Sequence, residues 1–165
     1  MDQANFLESL TDLLRDHNIS YCVIGGQGVN AYVEPLVSLD LDLVVALDQL
    51  PEVETLLARE YKVEKFPHSL NVSAEGSQVR VQLQTDVRYK DFPSRSTVRE
   101  VLGLRMPVAC IDDVLDGKIW AAQDPDRQPS KRRKDLLDIE RLLEQHPELS
   151  TRVPHDVMLK LSRLS

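Results

Sequence analysis

The hydrophobic positions in the first part of the chain change from helical spacing to strand spacing and back. Apolar residues recur at helical spacing over 5–17, which predicts an amphipathic helix. The apolar run 20–24 stops abruptly at Gly25-Gly26, a pattern typical of a buried strand that enters a tight turn. A short helix is then expected from about Gly28 to the residue before Pro35.

The segment 38–47 predicts a strand of mixed character. Its first half alternates apolar residues with Asp40 and Asp42, and its second half is entirely apolar. Because successive side chains of a strand point to opposite faces, the two carboxylates share one face. Aspartate is disfavoured within strands, and the apolar run that follows indicates that this strand lies in the centre of a sheet. We therefore expect the pair to have a function.

The remaining pattern predicts more strands and then mostly helices. Pro51 is expected to open a helix that ends near 59–61. Strands are expected at 69–74, 78–85 and 105–109, a hairpin loop at 75–77 and a weak helix at 96–102. Later helices are expected at 112–122, where Asp112 is the predicted cap, in the stretch that carries Leu136 to Leu143, and at 155–163. The predicted fold class is therefore α/β (α+β), a small mixed sheet flanked by helices mainly on one side, with a helical C-terminal portion.

Length and composition indicate one cytoplasmic domain. A chain of 165 residues is close to the modal domain size, so we expect a single domain over 1–165, with a core at about 20–110 and a helical portion at about 111–165. The net charge of −7 argues against general coating of duplex nucleic acid, and the basic run 131–134 is interpreted as a solvated helix face.

No stretch resembles a signal peptide or a membrane span, so no membrane partner is expected. Cys22 and Cys110 lie in apolar runs and are expected to be reduced.

The glycine turn and the aspartate pair together have a chemical rationale. Glycines at a strand-to-helix turn let the backbone approach an anion closely, and unpaired N–H groups of the following helix can bind it. Two carboxylates on one strand face can share hard divalent cations such as Mg²⁺ or Mn²⁺. Such cations hold a nucleoside triphosphate (NTP) and neutralise charge on the transferring group. The pattern therefore predicts a metal–NTP site.

Thirteen residues lie between Gly26 and the motif Asp40-Leu41-Asp42. This arrangement resembles the signature of the polymerase-beta-type nucleotidyltransferase superfamily, with its nearest likeness in small AbiEii-like, minimal nucleotidyltransferases. The resemblance covers most of 20–143, because segments 79–83, 113–118 and 134–138 follow the order of the family's landmarks. It implies the nucleotidyltransferase fold and metal-dependent transfer of a nucleoside monophosphate (NMP) from an NTP to an acceptor hydroxyl. Acceptors in the family are nucleic acid, protein or a small molecule, and RNA or protein is the expected acceptor here. AbiEii-like relatives often act as toxins beside an antitoxin, so a toxin-like role and a protein partner are implied as well.

The resemblance also implies residue roles. It makes Asp40 and Asp42 the catalytic residues and metal ligands. The nucleotide-binding positions that it implies are Gly25, Gly26, Gln27, Ser38 and Lys118. For Lys118 the residues leave a second interpretation open, a lysine whose stem packs at the edge of the core.

Two positions depart from the family pattern. The third metal ligand is expected to be acidic, but the landmark 79–83 places Gln82 there, a neutral ligand that cannot act as a base. Asp86 is a poor substitute, since two residues further along a strand is a displacement of about 6 to 7 Å. Leu36 stands where many relatives carry a phosphate-binding arginine.

Two other functions stay open at this point. The protein could be a non-catalytic member of the same fold that senses a nucleotide or binds a partner. It could also be an NAD(P)-binding domain, because 26–31 satisfies the dinucleotide-binding pattern with Asp48 about twenty residues on. That fold needs a parallel crossover of roughly ten to twelve residues or more, however, and Pro35 leaves room for little helix.

The placement of Gln82 generates the first prediction. If Gln82 occupies the third ligand position, replacing it with aspartate adds a charged metal ligand and a local base, so Gln82→Asp should raise the rate of NMP transfer. Steady-state kinetics of the two chains measures this. No gain in the variant would contradict the placement.

Overall fold

The computed structural model describes residues 3–164, with side chains from residue 5 onward, and within this range the chain forms seven strands and six α-helices. The strands are β1 (Tyr21–Ile24), β2 (Asp40–Val45), β3 (Lys62–Phe66), β4 (Ser69–Ser73), β5 (Arg80–Gln84), β6 (Thr97–Val101) and β7 (Leu104–Val108). The helices are α1 (Gln3–Asp16), α2 (Gly25–Asn30), α3 (Leu50–Glu60), α4 (Ile111–Gln123), α5 (Pro129–Gln145) and α6 (His155–Ser162). Short 3₁₀ turns occupy Leu47–Gln49, Val87–Tyr89, Pro93–Arg95 and Pro147–Arg152.

All seven strands of the described range join in one sheet, in the order β3-β4-β5-β2-β1-β7-β6. The pairs β2–β5 and β1–β7 are parallel, and the other neighbours are antiparallel. The mixed sheet confirms the predicted fold class. The pair β1–β2 is antiparallel, so the strand-to-strand connection through α2 is not the parallel crossover of a dinucleotide-binding domain. The NAD(P)-binding interpretation is therefore wrong.

Helices cover both faces of the sheet, which corrects the expectation that they lie mainly on one side. On one face, strand residues such as Val23, Leu43 and Leu83 form a core with α1 and α3. On the other face, Cys22, Ile24 and Val44 form a second core with α2, α4, α5 and α6. The sequence of β1 explains this arrangement, because its four residues are all apolar and all buried, as expected for a strand that is covered on both faces.

The second face is open over the β5–β4–β3 half of the sheet. Apart from Phe66 at the edge, the side chains there are polar, and those of Arg80, Gln82, Asn71 and Glu64 are exposed. Cα register places Asp42, Gln82, Asn71 and Glu64 in one row across four strands. This polar row forms a floor that begins at the aspartate pair.

Two strands differ from the prediction. Strand β3 was not predicted. It is an edge strand of mostly charged residues, and only Val63 in it is half-buried. The segment 96–102 is not a helix, because it forms the other edge strand, β6, in a hairpin with β7. Edge strands bury few side chains, so their apolar period is weak in the sequence.

Helix boundaries and orientations also differ in places. Helix α2 begins at Gly25, not Gly28, and ends at Asn30. Asp112 lies in the first turn of α4 and is not its cap, because the N-cap position is Cys110. Leu137, expected in the buried stripe of α5, is 44% exposed.

The described part of the chain contains no helix with the length and the apolar run that a bilayer span requires.

Cys22 and Cys110 are free thiols. Burial, with a smaller effect of the Asp113 charge, raises the pKa of Cys22 to about 12. Cys22 is thus a protonated core residue, as expected.

The packing of α1 predicts that replacing Phe6 destabilises the protein much more than replacing Phe66. Phe6 is fully buried and packs edge-on against Tyr61 at 5.1 Å between ring centroids, whereas Phe66 is 45% exposed on β3. Phe6→Ala should lower the free energy of unfolding by about 3–5 kcal/mol through the lost burial and the cavity. Phe66→Ala should change it by about 1 kcal/mol or less. Urea denaturation measures both, and equal losses would contradict this packing.

Candidate active site

A cleft of about 510 Å³ lies between the open polar floor and helix α5. The sheet contributes Asp40, Asp42, Arg80, Gln82, Asn71 and Glu64 to its lining. Helix α5 contributes Lys131, Lys134, Asp135, Leu137, Asp138 and Arg141. Gly26, Asn30, Lys118, Arg127 and the loop 36–38 complete it. A second depression, around 59–62 and 73–77 at the β3–β4 edge, includes none of the aspartates.

Asp40 and Asp42 lie side by side at the start of β2 on the face of the second core. The side chain of Asp40 is 43% exposed, and Asp42 is half-buried, with Gly25 directly against its carboxylate. Burial raises the pKa of Asp42, the positive charge of Lys118 opposes this, and the charge of Asp40 adds to it. A carboxylate whose charged form is disfavoured by burial is stabilised by a bound cation.

Gly25 makes the closest backbone approach to this pair. It has a φ of +66°, a left-handed conformation that favours glycine, and a Cβ added there would overlap Oδ2 of Asp42. The antiparallel register sets Ile24 opposite Asp42, so the chain must turn past that carboxylate at the next residue. Glycine is therefore required at position 25 by both conformation and space. Helix α2, which starts here, has only six residues and a correspondingly small dipole.

Lys118 is held inside a network of buried charges. Its Nζ lies 3.1 Å from Oδ1 of Asp135 and 2.9 Å from Oδ2 of Asp138. Arg127 pairs with Asp135 at 2.9 Å and Arg141 with Asp138 at 2.8 Å. Burial alone would lower the pKa of Lys118, but the charges of Asp138 and Asp135 and their hydrogen bonds raise it overall. Lys118 is thus a charged counter-ion of α5, and its interpretation as a core-edge lysine underestimated how far it is buried.

The loop after α2 is fixed to the site by side-chain amides. Asn30 donates to the carbonyl oxygen of Leu36 at 2.7 Å and accepts from its N–H at 3.0 Å. Gln27 is buried and donates to the carbonyl oxygen of Ser38 at 3.1 Å, and the Ser38 hydroxyl accepts from the N–H of Asp40 at 3.2 Å. Gln27 and Ser38 therefore position the start of β2. Leu36 is 50% exposed at the cleft.

Gln82 lies directly beside Asp42, because the two are Cα partners in the parallel pair β2–β5. Arg80, the partner of Asp40, donates from Nε to Oδ1 of that aspartate at 2.8 Å. Asp86 points elsewhere, since it accepts from the N–H of Arg88 and caps the turn that follows β5. On β5, the aspartate pair is thus flanked by the amide of Gln82 and the guanidinium of Arg80, and not by an acid.

The basic run 131–134 is divided by the helical period of α5. Lys131 and Lys134 line the cleft, whereas Arg132 donates to the carbonyl oxygen of Asp124. Lys131 and Lys134 are exposed, as a solvated face implies, and they also border the cleft. Of the described residues that line the cleft, six are basic and five acidic, although the chain as a whole carries −7. Four of the six basic groups pair with acids of the same lining, which leaves Lys131 and Lys134 as the candidates to bind an anionic ligand.

Comparison with known proteins gives matches in structure alone. No protein-family profile and no curated protein sequence matches the chain. The antibiotic-resistance factor ANT(2'')-Ia matches with a TM-score of 0.63 at 12% identity, over 98% of this chain and 90% of that one. An antigenic nucleotidyltransferase-like protein from Paracoccidioides brasiliensis matches with 0.56 at 18%, over 97% and 85%. A putative nucleotidyltransferase from Thermotoga maritima matches with 0.53 at 13%, over 88% and 96%.

The chain has the nucleotidyltransferase fold. This confirms the fold that the sequence resemblance implied, and it places the cleft of this chain in a scaffold shared with nucleotidyltransferases. The AbiEii-like subgroup and the residue roles stay predictions.

Several residues of the cleft were not recognised from the sequence. Three of them come from separate elements that meet at the cleft: Asn30 at the end of α2, Arg127 in the loop before α5, and Arg141 in α5. A weak signal existed for Arg141, which follows Asp138 by three residues and so shares its helix face. No sequence signal distinguished Arg80, since it is one of several exposed arginines.

The approach of Gly25 to Asp42 predicts a contrast between two glycines. Gly103 has a similar φ of +82° but open space around its Cβ position. Gly103→Ala should cost about 1 kcal/mol of stability from backbone strain alone. Gly25→Ala should cost about 1–3 kcal/mol more, because Asp42 must move to avoid the new methyl group. Urea denaturation of both variants measures the difference, and equal costs would contradict the close approach.

Proposed function

We propose that this protein is a metal-dependent nucleotidyltransferase that transfers NMP from an NTP to an acceptor hydroxyl. The observation that supports it most is the position of Asp40 and Asp42, adjacent on one strand face beside Gly25 in a cleft that Lys131 and Lys134 also line. Within the nucleotidyltransferase fold, this arrangement combines carboxylates for a metal with basic groups for phosphates.

The residues fit Mg²⁺ or Mn²⁺ as a cofactor. Magnesium is usually bound by one or two carboxylates together with substrate phosphates, and Asp40 and Asp42 supply two carboxylates to the lining of the cleft. Gln82 could add a neutral oxygen ligand from the next strand. When bound, the metal would neutralise charge on the phosphates of the NTP.

The residues around the pair suit the rest of an NTP. Gly26 lines the cleft close to the aspartates, and the ammonium groups of Lys131 and Lys134 face the same space from α5. Gly25 lets the backbone pass close to Asp42, while Gln27 and Ser38 hold the start of β2. Lys118 acts on the site as a buried positive charge near Asp42 and not as a direct phosphate ligand.

The transfer is a displacement at the α-phosphorus. The acceptor oxygen attacks in line, a new O–P bond forms, and the bond from the α-phosphorus to the oxygen bridging to the β-phosphate breaks. Pyrophosphate leaves with the electron pair of that bond. The hydroxyl proton passes to water, since Gln82 cannot accept it. We place the acceptor on the polar floor beside Gln82.

The acceptor itself is a proposal with alternatives. The sequence resemblance suggests RNA or protein, with a toxin-like role and an antitoxin partner. A small-molecule hydroxyl is the third acceptor class that the resemblance includes, and the structural neighbour ANT(2'')-Ia is known in complex with adenylyl-2''-tobramycin. Radiolabelled NTP incubated with each acceptor class would identify which one gains label.

A non-catalytic nucleotide-binding protein of the same fold is the second candidate. The neutral Gln82 beside Asp42 and the ion pair of Arg80 with Asp40 favour it, because both reduce the negative charge available to metal ions. Binding of NTP without label transfer to any acceptor would support this candidate over the enzyme.

Removal of the aspartate charges tests the site itself. The double variant Asp40→Asn, Asp42→Asn should weaken Mg²⁺-dependent NTP binding at least about tenfold, because the metal loses both anionic ligands. Calorimetry with each of the four NTPs measures this. Asp12→Asn, Asp16→Asn on α1 removes the same charge from exposed positions and should bind like the native chain. No binding by the native chain, or equal binding by both variants, would contradict the proposal.

A further inference from the structure

Arg80 places a fixed positive charge on one of the two aspartates. Its Nε lies 2.8 Å from Oδ1 of Asp40, and the two residues are Cα partners on β5 and β2. Arginine stays protonated in proteins, so this charge does not depend on pH. The contact uses Nε, which leaves the two Nη groups to donate to phosphate oxygens.

The side chains around the pair offer little further negative charge. Gln82, the strand neighbour of Asp42, is neutral, and the acids Asp135 and Asp138 are bound by Lys118 and two arginines. Among residues 3–164, no cluster of three acidic, histidine or cysteine side chains is placed to hold a metal ion. The mouth of the cleft therefore presents two carboxylates and one guanidinium.

This charge set suits one divalent ion better than two. In two-metal sites the ions lie about 3.5–4 Å apart, and their repulsion is roughly four times that between two single charges at the same distance. In such a site, carboxylates placed around both metal ions must offset this repulsion. Here a second ion would meet a neutral amide at Gln82 and a guanidinium on Asp40.

We propose that Arg80 takes the place of a second divalent ion, so that the cleft binds one metal ion with each nucleotide and Arg80 supplies the other positive charge to the phosphates. This inference rests on the proposed nucleotide site and specifies its composition. Arg80 is a binding residue in this account, and its pair with Asp40 keeps the guanidinium beside the phosphate position. An exposed ion pair without any role is the alternative outcome.

The test counts metal ions. Bound Mn²⁺ is measured from the electron paramagnetic resonance signal of the free ion, with the α,β-methylene analogue of the NTP that binds the native chain most tightly. We expect one Mn²⁺ per bound analogue in the native chain. Arg80→Gln should weaken analogue binding about tenfold. The double variant Arg80→Gln, Gln82→Asp should recover the affinity and bind two Mn²⁺ per analogue, because it restores a third carboxylate without the guanidinium.

Arg15→Gln is the matched control, since Arg15 makes a comparable exposed pair with Asp12 at 2.9 Å on α1 and should leave both measurements unchanged. Two Mn²⁺ per analogue in the native chain would overturn the inference while leaving the nucleotide site intact. Unchanged affinity in Arg80→Gln, or one Mn²⁺ in the double variant, would overturn it as well. If the native chain binds no analogue at any Mn²⁺ concentration, the proposed function fails together with the inference.

Discussion

The close approach of the Gly25 backbone to the Asp42 carboxylate is the constraint around which the site is built. The antiparallel register of β1 and β2 sets Ile24 opposite Asp42, so the chain leaves β1 directly against that carboxylate. Only a residue without Cβ and with a positive φ fits there. This turn starts α2, whose amide side chains then fix the loop that leads back into β2. The glycine turn and the aspartate pair are therefore two parts of one local structure.

The second determinant is the buried charge network that fixes α5 above the aspartates. Breaking a buried ion pair by removing one partner typically costs about 3–5 kcal/mol, because the other charge remains unpaired. Lys118 serves two acids of α5 and also lies within electrostatic reach of Asp42. Substitution of Lys118 would therefore displace α5 as well as remove a positive charge near Asp42. The cleft wall with Lys131 and Lys134 depends on this network.

The parts of this architecture that could be predicted from sequence are those with local signals. The turn at Gly25 and the alternation of Asp40 and Asp42 in an apolar strand are periodic or conformational features, and both occur where expected. The edge strands β3 and β6 carry few buried residues and so give no clear period. Arg80 and Arg141 join the site through strand register and helix packing, which depend on contacts between distant residues. Nucleotide binding by Gln27 and Ser38 stays a prediction, and their hydrogen bonds to the backbone show that they also support the start of β2.

A metal-bound nucleotide is proposed to lie against the glycine turn and the aspartate pair. Paramagnetic broadening of amide resonances tests it most directly, since Mn²⁺ broadens the signals of nearby nuclei in a distance-dependent way. On addition of Mn²⁺ with the NTP analogue, the amide signals of Gly25, Gly26 and Asp42 should broaden first, while that of Gly103 in the β6–β7 hairpin should persist. Broadening centred elsewhere, or none at saturating nucleotide, would contradict the account.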